Sequence, residues 1–376
     1  MQLKRKKRRL VGYLAAAFLP AALIAVFYLL AEHTSVLSLV QRQFSRPVLD
    51  AMGRAFSSVP FSFMEFYIVL VCAAVLLFLV RLVRRLILGP GPRLLTLLKY
   101  FLVLVCAAGV IWNGYCWLWN AGYYDDSFAE QAELKTDGAY PEELERASRL
   151  FLAKANRLAP LVPRDGEGNV AFTLDDAMDV CPGLYDPLTE EFPCLAGQTT
   201  RPKGVHFSSL MSRTGFTGIF FPFSGETYIN THQPAWSIPN TVAHEIAHQR
   251  GVHLEAECNF LGIAACLESD DIRFQYSGYL CGLIHLTNAL NSADPDARAA
   301  ILKDFCPELE ADWNYNSRYW REMEGTVSKV SDKVYDAFLK VNTQPSGLKS
   351  YGECVDLLIL WMQESSRSPV KLPKRN

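Results

Sequence analysis

Charge of one sign is what this sequence most lacks: 37 Lys and Arg stand against 39 Asp and Glu, for a net charge of −2. So balanced a charge offers no support for nucleic acid as a partner, and the basic cluster at residues 4–9 is better explained as a topology signal beside an apolar run than as a nucleic-acid patch. Internal repeats and low-complexity tracts are also missing, which excludes a solenoid. Apolar residues are not missing. They make up 50% of 376 residues, enough for one sizeable globular domain with apolar length left over, and too many for a disordered chain.

The extra apolar length lies in the first third, as "VGYLAAAFLPAALIAVFYLLA" (11–31), "FMEFYIVLVCAAVLLFLVRLV" (63–83) and "YFLVLVCAAGVIWNGYCWLW" (100–119). Each is near the ~20 residues that a helix needs to cross a bilayer core of ~30 Å. The only acid in them, Glu65, sits near one end of the second run, within reach of the interface. The first run is long for a leader, and no small-x-small cleavage site closes it, so a retained span is expected rather than a signal peptide. Lys4, Arg5, Lys6, Lys7, Arg8 and Arg9 precede it, and Arg84, Arg85, Arg93 and Lys99 stand without an acid between runs two and three. Between runs one and two, Arg42, Arg46 and Arg54 are offset by Glu32 and Asp50. The positive-inside rule then makes the N-terminus and the second link cytoplasmic. The expectation is a multi-pass protein of the cell membrane, with a membrane domain over 1–120 and an extracytoplasmic domain over 121–376. Trp112, Trp117, Trp119, Tyr123 and Tyr124 gather at the outer end of the third run, as an aromatic belt does.

Cysteine use leaves two readings open. "CPGLYDPLTEEFPC" (181–194) can be closed by one disulfide, as suits an exported domain, or its cysteines can be buried thiols packed as small hydrophobes. From Tyr140 to Leu158 the spacing is helical, with a proline in the first turn. Loops and short helices are expected to about residue 200. "TGIFFPFSGETYIN" (217–230) has the β-branched and aromatic content of strands, broken at Pro222 and Gly225, as a two-stranded ribbon or an edge strand. Beyond Asn240 the pattern is helical: 240–250, 254–268, 271–292, 295–304, a long segment near 307–341, and 352–366. The fold class is thus mainly α, three N-terminal transmembrane helices followed by a helical domain with a small β-sheet.

The chemistry concentrates in "TVAHEIAHQRGVHLEAECNF" (241–260). A helix is expected to begin after Pro239, with Asn240 as N-cap, and to stop at Gly251. His244 and His248 are one turn apart and share a face. Two imidazoles so spaced can hold one Zn²⁺, while Glu245, about 100° round the helix, can approach a water without ligating. A catalytic zinc needs a third protein ligand. Gly251 turns the chain so that the next helix, opening with Glu255, Glu257 and Asn259, can face the first. Glu255 and Asn259 share a face, so Glu255 is favoured as ligand over Glu257, with Asn259 placed to orient a histidine. The metzincin alternative fails at its third histidine: position 254 is Leu, and His253 is one place early. Cys258 is read as a buried thiol rather than a ligand. Tyr276, Tyr279 and Tyr315 are candidate oxyanion donors, each set against ordinary packing, and His206, His232 and His285 have no partner spacing. The expected activity is zinc-dependent hydrolysis of a peptide or protein, with Glu245 as general base and then general acid. The competing expectation is a non-catalytic envelope protein with a structural or partner-binding metal site. No sequence feature sets an oligomeric state.

The blocks "PKGVHFSSLMSRTGFTGIFFPFSGETYIN", "HEIAHQRG", "EAECNF", "YSGYL" and "VYDAFLKVNTQPSGLKSYGECVDLL", together with the three apolar runs, carry a resemblance over nearly the whole chain. The sequence resembles the bacterial membrane family called domain of unknown function 3810, whose members look like zinc-dependent peptidases of the glutamate-zincin type. That resemblance implies a membrane-anchored, zincin-like metallopeptidase domain. The Glu255…Asn259 spacing is similar to the E-x-x-x-D of related zincins, with an amide where they have an acid and hence less charge to orient the histidine. It supplies no substrate.

Overall fold

A computed structural model describes residues 2–135, 138–342 and 351–364. Among the described residues the chain is mainly helical, with one three-stranded sheet and three helices long and apolar enough to cross a membrane. These are α1 (Gln2–Leu30), α2 (Phe63–Leu88) and α3 (Arg93–Leu118). The chain divides into two compact units, Met1–Asp125 with Pro222–Ser224, and Asp126–Phe221 with Gly225–Asn376.

In the first unit α1 packs on α3 around Pro20. A proline inside a helix cannot donate to the carbonyl four residues back. Here the Ala16 carbonyl is instead met by the Cys106 thiol of α3, at 3.3 Å. Gly109 makes room for the proline ring, since a Cβ there would stand 2.8 Å from Pro20 Cβ. One turn on, Asn113 Nδ2 donates to the Pro20 carbonyl at 2.9 Å and to Gly109 at 2.7 Å, so the amide within an apolar helix has its protons satisfied. The stretch between α1 and α2, read from sequence only as a link, is itself helical over Thr34–Val40 and Arg46–Ser57, joined by a π-turn at Gln41–Ser45. Arg42 forks onto the Asp125 carboxylate at 2.7–3.1 Å and Ser38 donates to the same group, a pairing 80 residues and more apart that no local pattern announces.

The second unit contains α4 (Pro141–Leu158), α5 (Ile238–Gln249), α6 (Glu255–Glu268), α7 (Ile272–Ala293), helices at Pro295–Leu302 and Pro307–Met323, α8 (Thr326–Val341) and α9 (Tyr351–Glu364). The single long helix expected near 307–341 is two. The break falls at Gly325, whose N–H donates to Ser328 Oγ at 2.9 Å and so restarts the helix. The end of the helix expected over 352–366, at 365–366, and residues 343–350 of the quoted "VYDAFLKVNTQPSGLKSYGECVDLL" block lie outside the described residues.

Helix α6 is the core of this unit. Phe260, Leu261, Ile263, Ala264 and Ala265 are fully buried on all sides, the pattern of a helix sheathed by others rather than lying on a surface. It packs on α5, α7 and α9. Helix α4 lies across α7, with the Phe151 ring seated on Gly282, where a Cβ would come within 2.7 Å of Cδ1.

The sheet has β1 (Lys203–Gly204), β2 (Gly218–Phe221) and β3 (Glu226–Ile229) in the order β1-β3-β2. The interruption at Pro222 and Gly225 is the turn of an antiparallel hairpin, Phe221 facing Glu226 and Gly218 facing Ile229, with Gly225 at φ +65°. The third strand, parallel to β3, is two residues long, too short for periodicity to reveal. Lys203 of β1 forms an ion pair with buried Glu226, which also accepts from Tyr228 Oη at 2.5 Å. Cys181 and Cys194 carry thiols, so the disulfide weighed for this loop is not formed. Cys181 instead packs into the core, and burial pushes its thiol up to about 12.

Candidate metal centre

Helix α5 starts earlier than its sequence suggests. A 3₁₀ turn at Ala235–Ser237 leads straight into Ile238, and Pro239 is the second helical residue, where a missing N–H costs nothing. Asn240 is therefore not the N-cap. It lies inside the helix and donates its N–H to Ser277 Oγ of α7 at 3.0 Å. The far end closes as a Schellman motif: Gly251 N–H to the His248 carbonyl at 3.0 Å, and Val252 N–H to the Ala247 carbonyl at 3.1 Å. Gly251 sits at φ +87°, which only glycine adopts without strain.

That turn has a chemical result. It brings the Val252 carbonyl to 2.8 Å from His248 Nδ1. With Nδ1–H donated there, Nε2 keeps its lone pair and faces the next helix. Across from it stands Glu255, the first residue of α6, with Oε2 3.4 Å from His244 Nε2 and Oε1 3.6 Å from His248 Nε2. The two rings are nearly perpendicular, with centroids 5.1 Å apart. One ligand atom from each of His244, His248 and Glu255 lies within 4.8 Å of the other two. Asn259, one turn along α6, stands in hydrogen-bonding reach of His244 and favours its protonated form.

The approach of α5 to α6 depends on Gly262, where a Cβ would stand 3.0 Å from the His244 backbone nitrogen and 3.1 Å from its Cα. Further contacts lock α5 from outside. Tyr185 Oη donates to the Ala243 carbonyl at 2.7 Å, and Gln249 Nε2 donates to Thr227 Oγ1 of β3 at 2.6 Å. Arg250 donates to the Gly197 carbonyl and to Thr199 Oγ1.

Glu245 is buried on the side of α5 that meets the sheet, directly against the backbone of Gly218 in β2. A Cβ at 218 would stand 2.7 Å from Glu245 Cγ and 2.8 Å from Cδ. Its Oε2 is buried with no hydrogen-bond partner among the described residues. Burial pushes this carboxyl up to about 8, with His244 pulling it down and Glu255 pushing it further. Glu255 moves the other way. Burial would raise it, but the His244 hydrogen bond, both histidine charges and Tyr335 hold it at about 2. His244 is itself raised, because Glu255 outweighs burial, whereas burial lowers His248.

The remaining candidates have other partners. Glu257 accepts the backbone N–H groups of Phe128 and Ala129 at 3.0 and 2.9 Å, capping the short helix Phe128–Gln131, and burial pushes it up to about 7. Cys258 Sγ lies 3.3 Å from His248 Nδ1, its thiol raised by burial. Tyr276 donates to Asp312, which is held bidentately by Arg164 at 2.8 and 3.0 Å. Tyr279 packs edge-on against Phe151, and Tyr315 lies against Tyr319 and under Arg318. His232 Nδ1 is 2.8 Å from Ser209 Oγ, and His285 is buried in α7, its imidazole lowered to about 4. The hydroxyl that does reach the cluster is Tyr335 of α8, which donates to Glu255 Oε1 at 2.8 Å. Sequence spacing gives no hint of it, nor of Gly218 and Gly262.

Fold and cluster together describe a mainly helical protein with three apolar helices near its N-terminus and a histidine–histidine–glutamate cluster in its second unit. The chain belongs to the family described as "Protein of unknown function (DUF3810)", which it matches over residues 41–359. No curated protein and no solved structure matches it.

Proposed function

We propose that the protein is a membrane-anchored zinc metallopeptidase whose second unit is a zincin-like domain. The observation that carries the reading is the meeting of His244, His248 and Glu255 beside a buried carboxylate oxygen, Glu245 Oε2, that has no hydrogen-bond partner among the described residues. Two imidazoles and one carboxylate are a donor set zinc takes in catalytic sites, where a fourth position is left for water or substrate. The group fits these residues. His248 is fixed with Nε2 as its available donor by the Val252 carbonyl, and Glu255 is already in its ionised form. His244, His248 and Glu255 would hold the ion. Bound there, zinc would supply acidification of a water and polarisation of a carbonyl.

The proton work falls to Glu245. Burial raises the proton affinity of this carboxyl, the direction that suits a group taking a proton from water and returning it to a departing amine. Gly218 lets that carboxylate lie against the strand, and β2 is an outer strand of its sheet. An extended peptide can add its main-chain hydrogen bonds to such an edge, which supports a peptide or protein as the substrate class. The basic residues flanking the apolar helices support a cytoplasmic N-terminus and an extracytoplasmic second unit, with the lipid bilayer as the other partner.

The test is Glu245→Gln in the full chain purified in detergent, with zinc content and cleavage of a mixed peptide library both measured. Zinc retained with cleavage lost supports the proposal. Variant and parent that bind zinc alike and behave alike on the library would instead favour a structural or partner-binding metal site in a non-catalytic envelope protein.

A further inference from the structure

We infer that Tyr335 is a positioning residue for the metal-binding carboxylate, so that the centre is completed only when α8 is docked; the inference rests on the metal reading proposed above. Three helices are joined at Glu255. Its own helix α6 supplies the carboxylate, α5 the two imidazoles on one side, and α8 the Tyr335 hydroxyl at 2.8 Å from Oε1. A phenol donating to Oε1 occupies one lone pair of that oxygen and sets the plane of the carboxylate. Oε2 is thereby held 3.4 Å from His244 Nε2, and Oε1 itself stays 3.6 Å from His248 Nε2. Without the phenol the side chain would regain rotation about χ3, which is broad and nearly free for glutamate. A hydrogen-bond partner of this kind holds a ligand in its binding orientation before the metal arrives.

The placement of Tyr335 is built. Its ring meets Phe216 edge-on at 5.0 Å and stacks with Phe338 at 6.2 Å. One turn earlier, Ser331 Oγ donates to the Thr214 carbonyl at 2.9 Å. Helix α8 is thus pinned to the 214–216 segment that leads into β2, and the same segment places Gly218 against Glu245. A single docking event fixes the ligand carboxylate from one side and the base from the other.

The experiment compares zinc affinity, by chelator competition on the full chain in detergent, for Tyr335→Phe, Glu255→Ala and the double variant. Removing an outer partner of a metal ligand costs about 10- to 100-fold in affinity, so Tyr335→Phe is expected to weaken zinc binding at least about tenfold. Phenylalanine keeps both ring contacts, and an unchanged melting temperature without zinc shows that the fold is intact. In the Glu255→Ala background the same change is expected to have less than about a twofold further effect, because the hydroxyl acts through that carboxylate. Ser331→Ala, which removes one tether of α8 without touching Glu255, is expected to cost no more than Tyr335→Phe, because loosening the helix acts through the same hydroxyl; a larger loss overturns the inference, since α8 would then act through something else. An affinity unchanged by Tyr335→Phe, or a loss that persists without Glu255, overturns it as well. Failure of the metal reading looks different: His244→Ala would then bind zinc as tightly as the parent.

Discussion

Adding one methyl group at Gly218 is expected to disable the proposed base while leaving the proposed ligands alone. The backbone of Gly218 is not in the left-handed region, so alanine brings no conformational strain, and its effect is the Cβ itself. That atom would stand 2.7 Å from Glu245 Cγ, against 3.4 Å for an ordinary contact, so the carboxylate must retreat by about 0.7 Å. Glu245 is buried in close-packed surroundings, and Gly218 is tied into the ladder opposite Ile229, so neither side yields freely. Displacing a catalytic group by about 1 Å costs on the order of 10²-fold in rate, and this retreat is of that order. For Gly218→Ala we expect kcat/KM on cleaved library peptides to fall about 10²-fold, equivalent to ~2.7 kcal/mol of transition-state stabilisation. Zinc affinity should stay within about twofold, because the three atoms nearest the added carbon all belong to Glu245 and none to His244, His248 or Glu255. Overpacking by a single methyl group costs ~1–3 kcal/mol of stability, so melting is followed in parallel to keep the two effects apart. Cleavage at the parent rate by a folded Gly218→Ala protein would refute the reasoning.

Two further outcomes follow from the same packing and charges. Gly262→Ala puts a Cβ 3.0 Å from the His244 backbone nitrogen, which cannot swing aside as a side chain does, so α5 and α6 must part. We expect a loss of ~1–3 kcal/mol in stability together with weaker zinc binding, read by melting and chelator competition; a variant matching its parent in both would count against the close approach. The metal-free protein is expected to melt at a higher temperature at pH 6.5 than at pH 8. Glu245 and Glu257, raised to about 8 and about 7, and His244, also raised, bind protons more tightly in the folded chain than in the unfolded one, so stability falls as pH climbs through this window. A melting temperature that rises from pH 6.5 to 8 would contradict that sign.

What could be read from the sequence was what is local or periodic. The three apolar runs announce α1, α2 and α3 because length and composition alone decide membrane-crossing capacity. The four-residue spacings of His244 with His248 and of Glu255 with Asn259, and the turn at Gly251, are likewise local geometry, and so the meeting of His244, His248 and Glu255 is legible. Its supports are not. Gly218 is 27 positions before Glu245 and Tyr335 is 80 after Glu255, and neither distance leaves a trace in periodicity. Tyr276, Tyr279 and Tyr315 have the hydroxyl an oxyanion donor needs, yet the fold turns them to Asp312, Phe151 and Tyr319. Only the quoted "VYDAFLKVNTQPSGLKSYGECVDLL" block, which contains Tyr335, pointed to that region. The N-cap was misplaced for a similar reason. Asn240 has the right chemistry, but a preceding 3₁₀ turn starts the helix before it.

The contact at Pro20 ties the first apolar helix to the third. Asn113 finds one of its two acceptors on α1, and a chain deprived of that helix would keep only the Gly109 carbonyl of its own helix for the same amide. For bench work, truncations are therefore better placed beyond α3 than between α1 and α3.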